Sequence, residues 1–285
     1  MMESSALNLG DAAPTRAGLG ARFRGSRGFR AAAPPLLAFV VAIVAWEYVP
    51  PALGEPAYIF PTPTDIISAS HEHGHDFLQA IWVTAATSIG GFLLSACIGV
   101  VTAMVMAAAK PVERTLYPYA VILQTTPIIA IAPLVVIWFG TGTKAVLLIT
   151  FIIGFFPIVA NTLVGLHSAS ATTVDLFHVY RASKWQVMWK LRIPAALPYI
   201  FTAFKISCTL AVIGTIVGQY TAGTGGGTGG IGYILIVASN QLQTAYVFAA
   251  GIAAALIGIV FYLIVNFLSV RVLSSWHESA MGSLR

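Results

Sequence analysis

One short polar segment has the residue spacing of a zinc-peptidase site. His71-Glu72-His73-Gly74-His75 has the form His-Glu-x-x-His. On a single helix, this spacing places two histidines on one face as zinc ligands, with the glutamate beside them as a general base. Gly74 interrupts the pattern, the surrounding segment is polar, and no third ligand is evident. We therefore interpret the segment as a solvated loop without a metal, and a membrane zinc metalloprotease is the alternative function.

A glycine-rich tract, Gly223-Thr-Gly-Gly-Gly-Thr-Gly-Gly-Ile-Gly232, has the composition of a phosphate-binding loop. A P-loop also requires a Lys followed by Ser or Thr, because the Lys reaches the terminal phosphates. The tract contains no Lys. We predict a flexible external turn there, and no other segment offers a site that would bind and hydrolyse ATP. The chain is therefore predicted to have no catalytic residue and no cofactor of its own.

The elements around these segments are apolar. Of the 285 residues, 58% are hydrophobic and 9% are charged, whereas a soluble domain has roughly a quarter charged residues. Four long intervals contain no charged residue, and one of them can hold two spans of about 20 residues each. With an apolar run near the N-terminus, the chain is predicted to be an all-α membrane protein with about six transmembrane helices. The predicted spans are 33–50, 80–108, 116–139, 145–166, 195–220 and a sixth that ends near residue 273.

The distribution of basic residues predicts the orientation. Lys and Arg are found before the first predicted span and after the second, fourth and sixth, whereas the intervening loops contain one Lys, Lys144. The positive-inside rule then places both termini and the segment 168–194 in the cytoplasm. We attribute the excess of basic over acidic residues to this topology and not to nucleic-acid binding. We expect a flexible N-terminal tail over 1–32, a transmembrane domain over 33–273 and a C-terminal tail over 274–285.

Few polar side chains lie within the predicted spans, where they are costly unless they face the bundle interior or water. In Gln124-Thr125-Thr126-Pro127, the proline removes a backbone hydrogen bond, which is tolerated at membrane depth only beside protein or water. A translocation path and ordinary interhelical hydrogen bonding are both compatible with this group. Asn161, Lys205 and Gln219 are also polar. We assign Gln124 to Pro127, Asn161 and Gln219 to a candidate path, although ordinary hydrogen bonding is the favoured interpretation for Asn161.

The segment 168–194 is polar, basic and rich in tryptophan, between two apolar runs. Its part 184–191 has an apolar stripe and two tryptophans one turn apart, which predicts a helix along the membrane interface. The preceding part, 172–180, is predicted to form a second short helix with Phe177 and Tyr180 exposed to the cytoplasm. Composition alone leaves open whether these aromatic side chains dock onto a partner or lie against the bilayer.

These residues resemble the EAA loop of permease subunits in bacterial ABC importers. That loop begins with an acidic and two small residues, has a Gly after three more positions, and ends in Ile-x-Leu-Pro. Asp175 stands at the acidic position, and Ala182-Ser183-Lys-Trp-Gln186 and Leu191-Arg-Ile-Pro194 are similar to its later parts. Leu176 and Phe177 replace the two small residues. Arg181 replaces the Gly, which adopts a positive φ more readily than Arg does.

Two further segments are similar to the same family. They are Gln124-Thr-Thr-Pro127 through Trp138-Phe-Gly140, and Val212-Ile-Gly214 through Gly218-Gln-Tyr220, where many relatives have Glu at the position of Gln219. The resemblance extends over roughly residues 58–272. It is to the branch that imports sulfonates, taurine, nitrate and pyrimidine or riboflavin-like nutrients.

The resemblance implies a MetI-like permease bundle in the bacterial inner membrane. It also implies a homodimer, a cytoplasmic ATPase dimer that binds the ATP, and an extracytoplasmic substrate-binding protein. Phe177 and Tyr180 would dock onto the ATPase, Asp175 would cap or pair at the loop, and three neighbours would complete the coupling loop. These neighbours are Arg181, Ala182 and Ser183. A secondary transporter would be expected to have an acidic residue in the middle of a span, and none is present.

Overall fold

The computed structural model describes residues 25–222 and 229–274, and every regular element in these two ranges is helical. The elements are α1 (Gly25–Ala52), α2 (Pro63–Glu72), α3 (Gly74–Ala108), α4 (Lys110–Thr125), α5 (Ile128–Phe139), α6 (Thr143–His167), α7 (Ala171–Val179), α8 (Lys184–Val187), a π-helical turn (Met188–Arg192), α9 (Ile193–Ala222), α10 (Ile231–Asn240) and α11 (Thr244–Ser274).

Five helices in the described ranges are long and apolar enough to cross a membrane. A bent pair provides a sixth crossing when its two helices are counted together. The five are Pro34–Ala52 of α1, then α3, α6, the helix Lys184–Ala222 and α11, and the bent pair is α4 with α5. The predicted all-α class with about six spans is confirmed.

The third span is not the continuous helix predicted for 116–139. α4 ends at Thr125, α5 begins at Ile128, and the two helices are bent by 101°. Thr126 has ψ 124° and Pro127 has φ −60° and ψ 120°, so both residues are extended. A proline disfavours the helical conformation in the residue before it. Pro127 therefore ends α4, instead of only removing one hydrogen bond from a continuous helix.

The predicted interfacial helix over 184–191 is not a separate element. α8 continues through the π-helical turn into α9, which gives one helix of 39 residues, Lys184–Ala222. In the turn, the Ile193 N–H donates to the Met188 carbonyl. Pro194 follows at once and has no N–H to donate to the preceding turn. The change in hydrogen bonding therefore coincides with the proline.

The region before the sixth span contains a short helix that the sequence did not predict. α10 (Ile231–Asn240) is apolar and separate from α11, and Leu242 between them has φ 57°. Of the predicted glycine turn over 223–232, residues 223–228 lie outside the described residues, and Ile231 already begins α10.

The two predicted tails lie largely outside the described residues. α1 begins at Gly25, within the predicted N-terminal tail, and its apolar part begins at Pro34. The described part of the chain ends at Ser274. The flexible-tail predictions for 1–24 and 275–285 therefore stay predictions.

The centre of the bundle is formed by α3, α6 and α9, which approach closely at small residues. A Cβ atom on Gly91 of α3 would overlap the Thr150 side chain of α6. A Cβ on Gly165 of α6 would lie 3.0 Å from Ala196 Cα of α9. Close approach at small residues is how helices pack in membranes, where burial of apolar surface drives no association between helices.

Side-chain hydroxyls connect these three helices within the bundle. Ser95 Oγ of α3 donates to the Phe151 carbonyl of α6 over 2.9 Å, and Ser207 Oγ of α9 donates to the Gly154 carbonyl over 3.0 Å. The hydroxyls of Thr150 and Thr215 are 2.9 Å apart. Because the alternative in an apolar interior is an unpaired polar group, these contacts fix the register of the three helices.

One end of the bundle is basic, and we call it the basic end. α3 and α6 end there, α4 begins there, and α7 and α8 lie between α6 and α9. Arg192 Nη1 donates to the Ala107 carbonyl in the last turn of α3 over 2.9 Å. His167 Nε2 lies 3.6 Å from a Glu113 carboxylate oxygen. The basic residues at this end include Lys110, Arg114, Arg181, Lys184, Lys190, Arg192 and, in the last turn of α11, Arg271. The first turns of α2 and α3, with Asp65 and Asp76, lie at the opposite end.

Candidate functional site

α7 presents an apolar face at the basic end. Leu176 is 52% exposed, and Val179 and Tyr180 are each 78% exposed. Their spacing of three and four residues places them on one face of a helix. Tyr180 was predicted to be exposed, and it is. The sequence missed Leu176 and Val179, although the same helical spacing relates them to Tyr180.

Phe177 was also predicted to be exposed, and its side chain is partly exposed, so its docking role stays a prediction. The other face of α7, formed by Val174 and His178, lines a pocket with the last turns of α3. The wall opposite α7 includes Trp185 and Trp189, whose rings are 5.7 Å apart and nearly perpendicular. α7 therefore has one face turned towards the bundle and one face left open.

The C-terminus of α7 is closed by a Schellman motif. The Arg181 N–H donates to the His178 carbonyl over 2.9 Å, and the Ala182 N–H donates to the Phe177 carbonyl over 3.0 Å. These two hydrogen bonds define the motif, in which the residue after the C-cap is left-handed and usually Gly. Arg181 has φ 51°. The arginine therefore adopts the left-handed conformation that glycine adopts more readily.

Asp175 does not cap α7, and the pairing role predicted as the alternative stays a prediction. Ser170 caps α7, because its Oγ accepts from the Thr173 N–H over 3.2 Å. Asp175 lies further along the helix, where its side chain is exposed. Within the described residues, its carboxylate has no hydrogen bond or ion pair, so it is available to a partner molecule.

The last two predicted loop residues begin the next helix. Ser183 is the N-cap of α8 in a capping box, since its Oγ accepts from the Gln186 N–H and its own N–H donates to Gln186 Oε1. This arrangement satisfies two backbone donors at once. Ala182 lines the pocket beneath α7. Ala182 and Ser183 therefore connect α7 rigidly to the long helix that follows.

The candidate path residues Gln124 to Pro127 lie at the break between α4 and α5. Gln124, Thr125 and Pro127 are exposed, and Thr126 is partly exposed. The hydroxyls of Thr125 and Thr126 both donate to the Ile122 carbonyl, over 3.1 and 2.8 Å. The amide side chain of Gln124 makes no hydrogen bond to another described residue. The break therefore presents a polar side chain and extended backbone on the outside of the single subunit.

Asn161 makes no hydrogen bond to this group. It lies within α6, and its Nδ2 donates to the Pro157 carbonyl one turn earlier over 2.8 Å. Its side chain is partly exposed. The bond lies within α6, so the interhelical hydrogen bond that was favoured for Asn161 is not observed among the described residues.

Gln219 lies inside the bundle and not on an open surface, since its side chain is 2% exposed. Its Oε1 accepts from Thr84 Oγ1 over 2.9 Å and from the Gly232 N–H over 3.1 Å. Thr84 Oγ1 in turn accepts from the Ile231 N–H over 2.8 Å. Gln219 and Thr84 together satisfy the first backbone donors of α10, as capping residues do at other helices. The structure thus separates Gln219 from the group at the break.

The His-Glu-x-x-His segment is divided between two helices. α2 ends at Glu72, His73 lies at the junction with φ −103° and ψ 24°, and α3 begins at Gly74. A zinc site of this type needs both histidines on one helical face. Instead, the His73 ring stacks on the Tyr246 ring at a centroid distance of 4.5 Å. Among the described residues, no cluster of three potential metal ligands occurs, and nothing supports the metalloprotease alternative.

Comparison with known proteins shows the family. The family described as the binding-protein-dependent transport system inner membrane component matches residues 95–274. This chain belongs to that family. It is the permease subunit of an ABC importer, a multi-pass inner-membrane protein, and ATP is hydrolysed in a partner subunit.

Individual permeases are similar over most of their length. A probable ABC transporter permease from Haemophilus influenzae is 31% identical, over 82% of this chain and 94% of its own. A formylaminopyrimidine transport permease from Halalkalibacterium halodurans is 32% identical, over 86% of this chain and 96% of its own. A riboflavin transport permease from Chloroflexus aurantiacus is 28% identical, over 84% and 88%. The predicted branch of the family is thereby confirmed.

A solved structure shows the same fold. The MetNI methionine ABC transporter, in an inward-facing conformation, has a chain that superposes with a TM-score of 0.60 at 17% identity. The match covers 72% of this permease and 97% of that chain. The predicted MetI-like bundle is confirmed.

Proposed function

We propose that this permease, as a homodimer, forms the translocation path for a small organic nutrient or anion. Sulfonates, taurine, nitrate, pyrimidines and riboflavin-like compounds are the candidates, because relatives in its family are named for the transport of formylaminopyrimidine, riboflavin, aliphatic sulfonates and nitrate. An extracytoplasmic binding protein delivers the solute, and a cytoplasmic ATPase dimer supplies the energy. ATP is bound by that partner, and the permease itself requires no cofactor.

The basic end faces the cytoplasm in this proposal, and both termini lie on the same side. The support is the charge asymmetry, since at least seven Lys and Arg residues of the described part of the chain are found at the basic end and one, Lys144, at the start of α6 at the opposite end. Positive charge in short loops favours retention in the cytoplasm. α7 then projects into the compartment where the ATPase is found.

The exposed apolar face of α7 carries the proposal. Leu176, Val179 and Tyr180 lie in an aqueous compartment, where a contiguous apolar surface marks a docking site for another protein. Asp175 and Arg181 flank this face with one charge of each sign. We expect the apolar side chains to supply the affinity and the two charges to orient the ATPase, because rim charges contribute more to specificity than to binding energy.

The break between α4 and α5 supports the homodimer. Non-helical backbone at membrane depth is tolerated only where protein or a water-filled cavity covers it. In the single subunit, the break at Thr126 and Pro127 is open to the outside. A second copy placed against α4 and α5 would cover the break and enclose Gln124, Thr125 and Thr126 between the two subunits. These residues would then line the path.

Transport follows from two alternating states. Closure of the ATPase dimer on ATP draws the two α7 helices together, and the long helix Lys184–Ala222 carries this movement into the membrane. The path changes from inward-open to outward-open, as in other transporters where a ligand biases a two-state element. Asn161 and the polar residues at the break are the positions at which the solute would meet hydrogen-bonding groups.

The docking proposal is tested with Tyr180→Ala in the assembled complex. Truncation of an aromatic at the centre of an interface costs more than about 1 kcal/mol, so the ATPase subunit should bind at least about fivefold more weakly. Retention of the ATPase during purification and ATP hydrolysis by the complex are the measurements. Tyr58→Ala is the matched control, because Tyr58 is 62% exposed but is far from the basic end. Equal retention of the ATPase by the Tyr180 variant and the control would refute the assignment.

The identity of the transported solute is tested by measuring what the extracytoplasmic binding protein binds. Thermal-shift measurements with a sulfonate, nitrate, a pyrimidine and a flavin should show stabilisation by one class, because binding to the native state raises the midpoint of unfolding. Uptake of the same compound into vesicles with the complete complex must follow. Stabilisation by none of the four classes would contradict the proposed range of substrates.

A further inference from the structure

Lys205 is a charged residue in the middle of the bundle. The adjacent Phe204 ring contacts the Phe92 ring of α3 at 5.6 Å, and Phe92 contacts Phe261 of α11 at 5.2 Å. Ser207 donates to the Gly154 carbonyl of α6. Phe92, Gly154 and Phe261 each lie within about two residues of the middle of their helices, as the helix bounds show. Lys205 is therefore close to the membrane midplane.

At this depth, the ammonium group of Lys205 needs a polar environment. Half the hydrocarbon thickness is about 15 Å, which is more than a lysine side chain can reach towards the interface. The chain contains no Asp or Glu between Asp175 and Glu278, or between Asp76 and Glu113. Within the described residues, the Lys205 side chain has no hydrogen bond and no ion pair. A charged group without a partner in lipid is costly, so water is the environment that fits.

The surface of α9 around Lys205 is also polar. Thr202 is exposed, and Lys205 and Thr209 are partly exposed. Their spacing of three and four residues places them on one face of the helix. A helix face that contacts lipid is apolar, whereas this face has a polar stripe in its central turns. The hydroxyls of Thr202 and Thr209 donate to carbonyls of α9 itself, over 2.8 Å each, so the unpartnered charge of Lys205 is the observation that indicates water at this part of α9.

We propose that Lys205 lines the translocation path and gives it a positive charge near its middle. Lys has three donors and no acceptor, so the path favours solutes that present an anionic or hydrogen-bond-accepting group. Sulfonates, nitrate and the carbonyl groups of pyrimidines or flavins satisfy this condition. Quaternary ammonium compounds do not, although more distant relatives are named for the transport of glycine betaine, carnitine and choline. This inference rests on the proposed function.

The test measures the local potential with charged thiol reagents and needs no knowledge of the substrate. Cys97 and Cys208, the two cysteines of the chain, are replaced by Ala, and Thr209→Cys introduces a reporter one turn from Lys205. The reagents are 2-sulfonatoethyl methanethiosulfonate, an anion, and 2-(trimethylammonio)ethyl methanethiosulfonate, a cation. Both should react, and the anion should react faster. Leu263→Cys on α11, a position that is 55% exposed, is the control for a surface in contact with lipid and should stay unreactive.

The second arm adds Lys205→Gln. One charge about 6 Å away in water changes each rate by about threefold, in opposite directions for the two reagents. The ratio of the anionic to the cationic rate should therefore fall by about tenfold, while Lys205→Arg should keep it. An unreactive Thr209→Cys, or a ratio that Lys205→Gln leaves unchanged, overturns the inference. Retention of the ATPase and ATP hydrolysis are measured on the same complexes. A complex that fails to assemble or to hydrolyse ATP, which would contradict the proposed function, is thereby distinguished from one in which only the inference about Lys205 fails.

Discussion

Replacement of Arg181 by Gly should stabilise the end of α7. With φ 51°, Arg181 pays the steric cost of about 1–2 kcal/mol that a Cβ atom imposes in the left-handed region. Gly avoids this cost but loses about 0.5–1 kcal/mol more in conformational entropy on folding. The net gain is about 0 to 1.5 kcal/mol, and its midpoint corresponds to about a threefold change in the equilibrium between the open and closed turn.

The Ala182 amide reports this equilibrium directly, because its N–H donates to the Phe177 carbonyl in the closed turn. Hydrogen exchange of the peptide around this residue, in the purified permease, should slow by about threefold in Arg181→Gly. Arg181→Ala is the matched control, since it removes the same charge but keeps the Cβ atom. The alanine variant should show no slowing. The reasoning is refuted if exchange in the glycine variant is unchanged or faster, or if both variants slow it equally.

Three other substitutions test the packing of the bundle by thermal unfolding in detergent. Gly91→Val should lower the free energy of unfolding by about 1–3 kcal/mol because its Cβ would overlap Thr150. Gly251→Ala is the control and should have little effect, since nothing lies within 4 Å of the added Cβ. Gln219→Leu should lower the free energy of unfolding by about 1–3 kcal/mol, because it leaves the buried Gly232 N–H of α10 unpaired. Stability equal to that of the native protein would contradict the capping role. Arg192→Met should lower the free energy of unfolding by about 1 kcal/mol, because it removes the hydrogen bond to the last turn of α3. An unchanged midpoint of thermal unfolding would show that water replaces this hydrogen bond.

The crossings and the position of α7 could be predicted from the sequence because both depend on local patterns. Charge-free intervals of sufficient length located the spans, and the polar segment between two of them located α7. Leu176 and Val179 were missed because a helix of nine residues shows its faces only when its bounds are known. The partial burial of Phe177 was missed for the same reason.

The remaining differences come from contacts between distant parts of the chain. The break at Pro127 was underestimated, since a proline within an apolar segment can also be accommodated by a kinked but continuous helix. Gln219 was placed on the path because an amide in a membrane span is unusual. Its partner Thr84 is 135 residues away in the sequence, so no local pattern could indicate that it holds the start of α10. Ser170, and not Asp175, caps α7. The position of Ser170 directly before the helix is typical of an N-cap and could have indicated this role.

The helix Lys184–Ala222 has a mechanical consequence. Its 39 residues extend over about 58 Å at 1.5 Å per residue, so its length exceeds the hydrocarbon thickness of about 30 Å. Its two prolines and its π-helical turn all lie in the first fifteen residues or so, and the remainder contains no proline. The far portion thus behaves as a stiff lever with its compliant joint near α7. A rotation of about 5° at that joint displaces Gln219 and the start of α10 by several ångströms, so a small stroke at one membrane surface is magnified at the other without any relay of side chains.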